Sequence, residues 1–532
     1  MRMMHPHRFL ILVSGLIGLV GVGASLAFVW ISKRVVDIAT GAHGGVLEAA
    51  AAVMVGIMLL QVLTRIGARY WEGWVEVRIR NAMRSDVFRK VIYSTWSGRD
   101  RLHSGDTVNR LEEDIRVVTD FICSTIPEVF ITTAQLIAAS VYLFVLSPGL
   151  AWILLVIMPV AVLCSRLFFR KLRALTGEIR AADAKVQGHM QENIQHRILI
   201  RVLGASADVL AKLGSFQDTV YSKTVTRLNY NAVSRGFMQL GFAAGYALVF
   251  FWGVFGLRAG TLGYGTMVAF LQLVGQVQRP VANIALQVPA FIRALSSEDR
   301  LLDLVEEAQE EEAEGIVLAG APGVRVENLT FTYEGVNHPV VKSLDHDFKP
   351  GTMTAILGST GAGKSTLVKV IMALLKPDSG RVVLYDGELE VESGVGTRCN
   401  FMYVPQGNSL MSGTIRDNLL LAKPEASDAE LKDALHLAAA DFVFELQDGL
   451  DTVCSEIGAG LSEGQAQRIA IARALLRPGG ILVLDEATSS LDADTELEFL
   501  QRLAASCRGS KTILCITHRP AATTYADAVL KL

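Results

Sequence analysis

Long apolar stretches dominate the first half of this 532-residue chain, and short apolar runs alternating with helical patterns fill the second. From Phe9 to Trp30 the residues are mostly Leu, Ile, Val, Ala and Gly without a charge, enough for a helix to cross the ~30 Å hydrocarbon layer of a bilayer. Further stretches follow at Val46–Leu63, Ile126–Leu146, Leu150–Phe169, Phe237–Leu257 and Tyr264–Ile284, which predicts six membrane helices. An even number of crossings returns the chain to its starting side. Between the second and third spans, and again between the fourth and fifth, apolar residues keep helical spacing beside charged neighbours. Val75, Ile79, Met83 and Val87 show it, so the membrane helices are expected to continue beyond the bilayer. Breaks at Ser97-Gly98 and His103-Ser104-Gly105, and a turn between Glu192 and Ala205, would each present a short helix to another domain. In the last span Gln272, Gln276, Arg279, Asn283 and Gln287 fall on one helix stripe. Such a stripe is costly in lipid, so it either lines a translocation path or packs against polar groups of a neighbouring helix. Pro280 would kink that helix, and Gly241 with Gly245 offers a small-residue face for close helix approach.

Charge orients the array. Arg65, Arg69, Arg78, Arg80, Arg84, Arg89 and Lys90 crowd the first long loop, and Arg170, Lys171, Arg173, Arg180 and Lys185 the second, against Lys33, Arg34 and Arg258 on the opposite side. Basic loops stay in the cytoplasm, and both termini with them. Arg2 and Arg8 flank the first span and Ala24-Ser25-Leu26-Ala27 imitates a cleavage site. The span nevertheless outruns the roughly 7–15 residues of a secretory signal, so a retained helix is expected. A net charge of −3, 51% hydrophobic residues and a mean hydropathy of +0.36 are too apolar for a soluble enzyme and too neutral for a nucleic-acid binder. The cysteines lack C-x-x-C or zinc spacing and read as reduced, mostly buried thiols. The acidic run Glu306–Glu314, followed by Gly315, Gly320, Pro322 and Gly323, reads as a solvated linker. The domains are thus residues 1–304 in the membrane, 305–323 as linker and 324–532 as an α/β domain.

Candidate chemistry lies in that last domain. Gly358, Ser359, Thr360, Gly361, Ala362, Gly363, Lys364, Ser365 and Thr366 spell G-x-x-x-x-G-K-[ST] between an apolar strand-like run, Met353–Leu357, and a helix-like one, Leu367–Leu375. Glycines let backbone N–H groups curl toward phosphate oxygens, the helix N-terminus adds partial positive charge, and Lys364 and Ser365 supply a cation and a Mg²⁺ ligand. A nucleotide triphosphate is the expected ligand. Further on, the strand Ile481–Leu484 delivers Asp485 and Glu486 at its tip, one carboxylate for Mg²⁺ and one to polarise an attacking water. Leu461-Ser-Glu-Gly-Gln465 opens a helix from Ala466 to Leu476, so Ser462, Gly464 and the first N–H groups form a second anion-binding terminus.

With these motifs in this order, the chain resembles an ABC transporter over essentially its whole length, specifically an exporter-type half-transporter: an all-α six-helix membrane domain fused to one α/β P-loop ATPase domain with a helical signature subdomain. The resemblance implies that Tyr333 stacks on adenine, Gln406 of Val404-Pro-Gln406 senses Mg²⁺, and His518 of Ile516-Thr-His518 is the switch histidine at the γ-phosphate. It makes Ser489-Ser490-Leu491-Asp492 the loop that crosses a dimer interface, and Ser462, Gly464 and Gln465 the signature contacts. Glu486 becomes the base, with Lys364 steadying charge, and Ser365, Gln406 and Asp485 hold the metal. Glu456, before Gly458, matches a segment that meets coupling helices; Gly105-Asp106 with Arg110 and Asp114 resembles the first coupling region and Glu192–Ala205 the second. The chain departs from the pattern at Glu463, where the signature's first glycine is usual, and at Ser455, where glycine is common. It ends at Leu532 inside an expected strand, so the family's usual last elements are expected to be missing.

The resemblance further implies ATP and Mg²⁺ as cofactors. It implies a second half-transporter as partner, with a homodimer favoured because Lys364, Asp485, Glu486, Gln406 and His518 are all present, and a multi-pass inner-membrane location. The expected activity is ATP-driven export or flipping of a lipophilic or amphipathic substrate, whether lipid, small molecule or peptide. The alternatives are an importer on the exporter fold and an ATP-gated regulatory membrane protein.

Overall fold

The computed structural model describes residues 8–95, 104–153, 168–305, 309–310, 313–333, 335–336, 338–454 and 460–532. Two compact units result: Met1–Arg89 with Gly105–Val305, and Lys90–Ser104 with Glu306–Leu532.

The first unit is helical. Its elements are α1 (Arg8–Ala39), α2 (Leu47–Ile92), α3 (Ser104–Asp120), α4 (Ile126–Leu146), α5 (Phe169–Gln195), α6 (Arg197–Val202), α7 (Ser206–Arg258) and α8 (Tyr264–Val305). A π-helical turn, Phe121–Thr125, joins α3 to α4. Four segments among the described residues are long and apolar enough to cross a membrane: Arg8–Ala39, Leu47–Ile92, Leu111–Leu146 and Ser206–Arg258. The expected span at Leu150–Phe169 lies largely outside the described residues. Tyr264–Ile284 is helical but falls outside the four, because the glutamines, Arg279 and Asn283 dilute its hydropathy. At 53 residues, α7 is about 80 Å long, far more than a bilayer needs. The extension of α2 behaves likewise, for its buried residues include Val75, Ile79, Met83 and Val87, the four positions marked by spacing. The turn expected between Glu192 and Ala205 is real and encloses the short helix α6, whose Ile198, Leu199 and Val202 are exposed.

The core of this unit forms where α8 meets its neighbours: Phe270, Leu273, Val274 and Val277 are buried against Val29 of α1, Leu143 of α4 and Val249 of α7. The small-residue face of α7 runs Gly245, Val249 and Gly253, with Gly241 half-buried. At the C-terminal end of α1, the buried Asp37 carboxylate accepts the Gly265 N–H at 3.1 Å, satisfying one of the orphan donors at the start of α8. The polar stripe of α8 is divided. Gln276 bonds Ser25 of α1 (Nε2 to O 3.3 Å), and Gln287 donates to Glu128 of α4 at 2.8 Å, whereas Arg279 and Asn283 are exposed. Packing against neighbouring polar groups therefore accounts for part of the stripe.

The second unit is α/β. An antiparallel sheet runs β2 (Val341–Phe348), β1 (Gly323–Phe331), β4 (Ser379–Tyr385), β5 (Glu390–Glu392). A parallel sheet runs β11 (Ala528–Lys531), β3 (Met353–Leu357), β10 (Thr512–Ile516), β9 (Ile481–Asp485), β6 (Phe401–Val404), and a short antiparallel pair joins β7 (Gly413–Thr414) to β8 (Val453–Cys454). Strand alternation divides the interior in two. Ile481 and Val483 of β9, with Leu514 and Ile516 of β10, join one apolar cluster; Leu482 and Leu484, with Ile513 and Cys515, join the other. Fully buried strands of this kind read as continuous apolar runs, as Ile481–Leu484 does. The helices used below are α9 (Lys364–Ile371), α10 (Ile415–Leu420), α11 (Asp428–Leu437), α12 (Glu463–Leu476), α13 (Ala493–Cys507) and α14 (Pro520–Tyr525).

The stretch expected to be a solvated linker is partly tied down. Glu310 forms a two-pronged ion pair with Arg398 at 2.6 and 2.7 Å, Leu318 is buried, and its N–H donates to Asn400. Acidic composition signalled solvent; a cationic partner far along the chain supplied an alternative.

Candidate functional site

Parallel strands present their C-terminal ends at one edge, and there the chemistry gathers. The register Ile356↔Ile516↔Asp485 sets the tips of β3, β10 and β9 level. From β3 the chain turns through Gly361 (φ +86°) and Gly363 (φ +91°), a left-handed backbone that side chains rarely adopt, and enters α9 at Lys364. Ser359, Thr360 and Gly361 are exposed at the crest of this loop. Lys364 is buried, and its ammonium folds over the loop to the carbonyls of Gly358 (2.9 Å) and Ser359 (3.0 Å). A lysine ammonium folded over a glycine-rich turn at a helix start has the chemistry that suits a phosphate.

Ser365 donates from Oγ to Asp485 Oδ1 at 2.9 Å, and the Tyr403 hydroxyl reaches Oδ2 at 3.5 Å. Asp485 is 2% exposed. Burial pushes its pKa above the usual aspartate range, the Ser365 hydrogen bond opposes the shift, and the neighbouring Glu486 charge adds to it. A hydroxyl and a carboxylate held at this distance are the oxygen donors that Mg²⁺ favours, leaving the remaining positions to phosphate and water. Ser365 and Asp485 therefore fit the metal. The amide of Gln406, expected as a third metal group, instead donates to Glu486 Oε2 at 2.6 Å.

Glu486 is the centre of the second set. It holds φ at +50°, uncommon for a residue with a side chain and costing on the order of 1 kcal/mol, while its N–H donates to the carbonyl of Ile516 at 3.0 Å. His518 Nε2 lies 3.2 Å from Glu486 Oε1. Tyr333 hydrogen-bonds Thr366 through its hydroxyl (3.1 Å) and meets Phe331 edge-on at 4.9 Å, so its ring sits beside the start of α9. The structure thus brings together the predicted Lys364, Ser365, Thr366, Tyr333, Gln406, Asp485, Glu486 and His518.

The signature residues form a separate group. Ser462 is the N-cap of α12: its Oγ accepts from Gln465 N at 3.2 Å, and Gln465 Oε1 accepts from Ser462 N at 2.8 Å. A side chain at Gly464 would meet the carbonyl of Ser490 at 2.7 Å, and Glu463 accepts from the Ser490 hydroxyl at 2.8 Å. Among the described residues no hydrogen bond joins Ser462, Gly464 or Gln465 to the phosphate loop of the same chain. Asp492, expected among the ligand contacts, turns its carboxylate to its own helix, capping α13 through Thr495 (2.8 and 3.0 Å). Ser455, Glu456 and Gly458 lie outside the described residues, as do the side chains of Asp106 and Arg110. Asp114 is buried and held by Arg300, whose Nε donates to it at 2.9 Å.

Sequence reasoning missed a clamp behind the site. Glu496, 2% exposed, accepts from Thr488 (2.7 Å) and pairs with Arg519 (3.0 Å), and Arg519 donates onward to the carbonyls of Leu491 (2.8 Å) and Ser489 (2.7 Å). Gln467 Nε2 donates to the Glu486 carbonyl (3.2 Å), tying α12 to the strand tip. One signal was available: Glu496 shares a helix face with Phe499, Leu500 and Leu503, and a carboxylate on an apolar face demands a partner.

The chain is similar to known proteins over both of its units. Residues 11–281 match the family described as "ABC transporter transmembrane region" and residues 341–489 the one described as "ABC transporter". The chain is 28% identical over 483 residues to the "Uncharacterized ABC transporter ATP-binding protein YfiB" of Bacillus subtilis, covering 90% of this chain and 84% of that protein. It is 28% identical over 481 residues to an ATP-dependent lipid A-core flippase of Chromobacterium violaceum, covering 90% and 82%. Its fold matches that of a bacterial Atm1-family ABC exporter with ATP bound at a TM-score of 0.81, with 23% identity, over 99% of this chain and 93% of the other.

Proposed function

The chain belongs to the ABC transporter family, and from that premise we propose that it is an exporter or flippase of amphipathic substrates, working as a homodimer in the cytoplasmic membrane with its ATPase domain in the cytoplasm. The family membership makes it an ATP-driven membrane transporter with one membrane region and one ATPase domain per chain. Export is the direction favoured by the flippase relatives and the exporter fold.

The convergence of Gln406 and His518 on Glu486 beside the phosphate loop carries the catalytic reading. The loop amides and Lys364 hold the phosphates of ATP. Ser365 and Asp485 would hold Mg²⁺, which when bound neutralises charge on the β- and γ-oxygens. Glu486 accepts the proton of the attacking water, Gln406 fixes the carboxylate from one side, and His518 steadies the γ-phosphate from the other. Tyr333 lies at the loop's flank as a platform for the base. Since no hydrogen bond among the described residues joins Ser462 or Gly464 to their own chain's loop, in this reading each ATP site is completed by the partner subunit, and closure of the two ATPase domains drives the membrane helices.

Replacing Glu486 with Gln tests this. ATP turnover of the reconstituted protein should fall at least about 100-fold with ATP binding retained. Near-normal turnover would remove Glu486 from the mechanism.

A further inference from the structure

Two short segments far apart in sequence pair inside the second unit, where Ser94 faces Gln309 in an antiparallel bridge. The Glu310 N–H donates to the carbonyl of Tyr93 at 2.8 Å, and Gln309 Nε2 to that of Lys90 at 3.2 Å. One segment continues α2, which ends at Ile92; the other follows α8, which ends at Val305. Arg398 holds this clasp from the ATPase domain. Its guanidinium forks onto both Glu310 carboxylate oxygens and also donates to the carbonyls of Met372 (3.2 Å) and Ala373 (2.5 Å), just past the C-terminus of α9. That helix end is a left-handed cap: Leu374 N bonds the Lys369 carbonyl and Ala373 N that of Val370, both at 2.9 Å, with Ala373 at φ +52° where glycine is usual. The turn leaves the carbonyls of Met372 and Ala373 to an outside donor, and Arg398 supplies it. Its pair with Glu310 is only 24% and 22% exposed on the two sides, so salt screens it less than a surface pair.

The other end of α9 is the phosphate loop. At eight residues α9 is about 12 Å long, so it joins Lys364 to the Arg398 contact as one short rod. We propose that Arg398 is a positioning residue through which nucleotide in the phosphate loop tightens the clasp between the continuations of α2 and α8. This rests on the phosphate-loop reading above for where the nucleotide sits. The sign follows from order: phosphates that fix the loop remove freedom from α9, so ordering the groups bonded to its far end costs less, and each event favours the other. Reciprocity is then required, and a clasp locked shut must bind nucleotide more tightly. Its members lie outside both coupling regions expected from the sequence, 105–114 and 192–205.

The test is equilibrium binding of Mg-AMPPNP, a non-hydrolysable ATP analogue, to the full-length protein in nanodiscs. In a protein carrying Ser94→Cys and Gln309→Cys, with the half-exposed Cys399 changed to Ser, oxidation should join the facing positions of the bridge. The analogue should then bind about fivefold more tightly, the lower end of coupling between linked sites, and reductant should reverse the gain. Arg398→Gln added to that protein should abolish the gain and Arg398→Lys should restore part of it. Glu310→Ala, which opens the clasp but leaves the α9 carbonyls capped, should abolish it too. Arg381→Gln, which breaks an exposed pair with Glu327 elsewhere in the domain, should leave it whole. Hydrogen exchange reads the converse effect: the analogue should slow exchange in peptides containing Tyr93 and Glu310 in the wild type and not in Arg398→Gln. Failure of the cysteines to join, equal affinity of oxidised and reduced protein, a gain that survives Arg398→Gln or Glu310→Ala, or a protected phosphate loop with unchanged exchange at Glu310 would each overturn the proposal. An analogue that does not protect the phosphate loop at all would instead sink the nucleotide-site reading, and the Arg398 path with it.

Discussion

Asp485 shows how a single residue trades stability for chemistry. It sits at the end of a wholly buried strand, with Ser365 and Tyr403 as neutral partners, and burial raises its pKa. The folded, nucleotide-free domain therefore keeps this proton to higher pH than the unfolded chain does. Between the unfolded and folded values the native state binds more protons, so its stability falls as pH climbs through the folded pKa. Asp485→Asn removes the charge but keeps an oxygen for the Ser365 hydroxyl. The variant should melt higher than wild type at pH 8 without nucleotide, with the gap shrinking as the pH is lowered toward 5. Its ATP turnover should drop at least about 100-fold, because the metal loses its carboxylate. Thermal melts at the two pH values, with and without Mg-ATP, check both halves; a variant less stable than wild type at pH 8 would show that the carboxylate is not held at a cost.

At the scale of elements, the loop Ser489–Asp492 between β9 and α13 has no regular structure of its own, yet Arg519 and Glu496 fix it from behind. Removing the buried Glu496 carboxylate leaves the Thr488 hydroxyl without its partner and the one-third-exposed Arg519 without its counter-ion, so Glu496→Ala should destabilise the ATPase domain by about 2 kcal/mol. Chemical denaturation measures that loss, and Glu496→Gln, which still accepts from Thr488, should recover part of it. This clamp also marks where sequence reading stops. The phosphate loop was legible because its function lies in consecutive residues and a local turn, and the extension of α2 because one face repeats at Val75, Ile79, Met83 and Val87. The contact between Glu496 and Arg519, by contrast, needs β10 laid beside β9, and nothing local encodes that. The same holds for Glu310 with Arg398, where composition read as a solvated linker and tertiary pairing decided otherwise. Asp492 illustrates the reverse: its place in a motif suggested ligand contact, while its local geometry, an aspartate opening a helix, already predicted the cap observed.

For the whole molecule, the homodimer proposed above makes the separation of the two anion-binding groups within one chain the determinant of stoichiometry. The loop of one copy carries Lys364, Ser365 and Glu486, while Ser462 offers its capped helix start elsewhere, so a symmetric pair creates two composite sites from two incomplete halves. This predicts complementation between two dead proteins. Lys364→Ala removes the phosphate cation. Ser462→Asp preserves the N-cap, since aspartate caps as well as serine, but places a carboxylate against the incoming phosphate. Each variant alone should hydrolyse ATP at background rate. Mixed equally before reconstitution, half of the randomly formed dimers pair one of each, and each such dimer regains one intact site from the unmutated loop and the unmutated signature. Turnover should return to about one quarter of wild type if the sites act independently, and below that if they fire only together. Recovery should vanish when both substitutions are placed in one chain and mixed with itself, and it should scale with the product of the two mole fractions. If the mixture stays at background at every ratio although co-purification shows that mixed dimers form, the composite site is refuted.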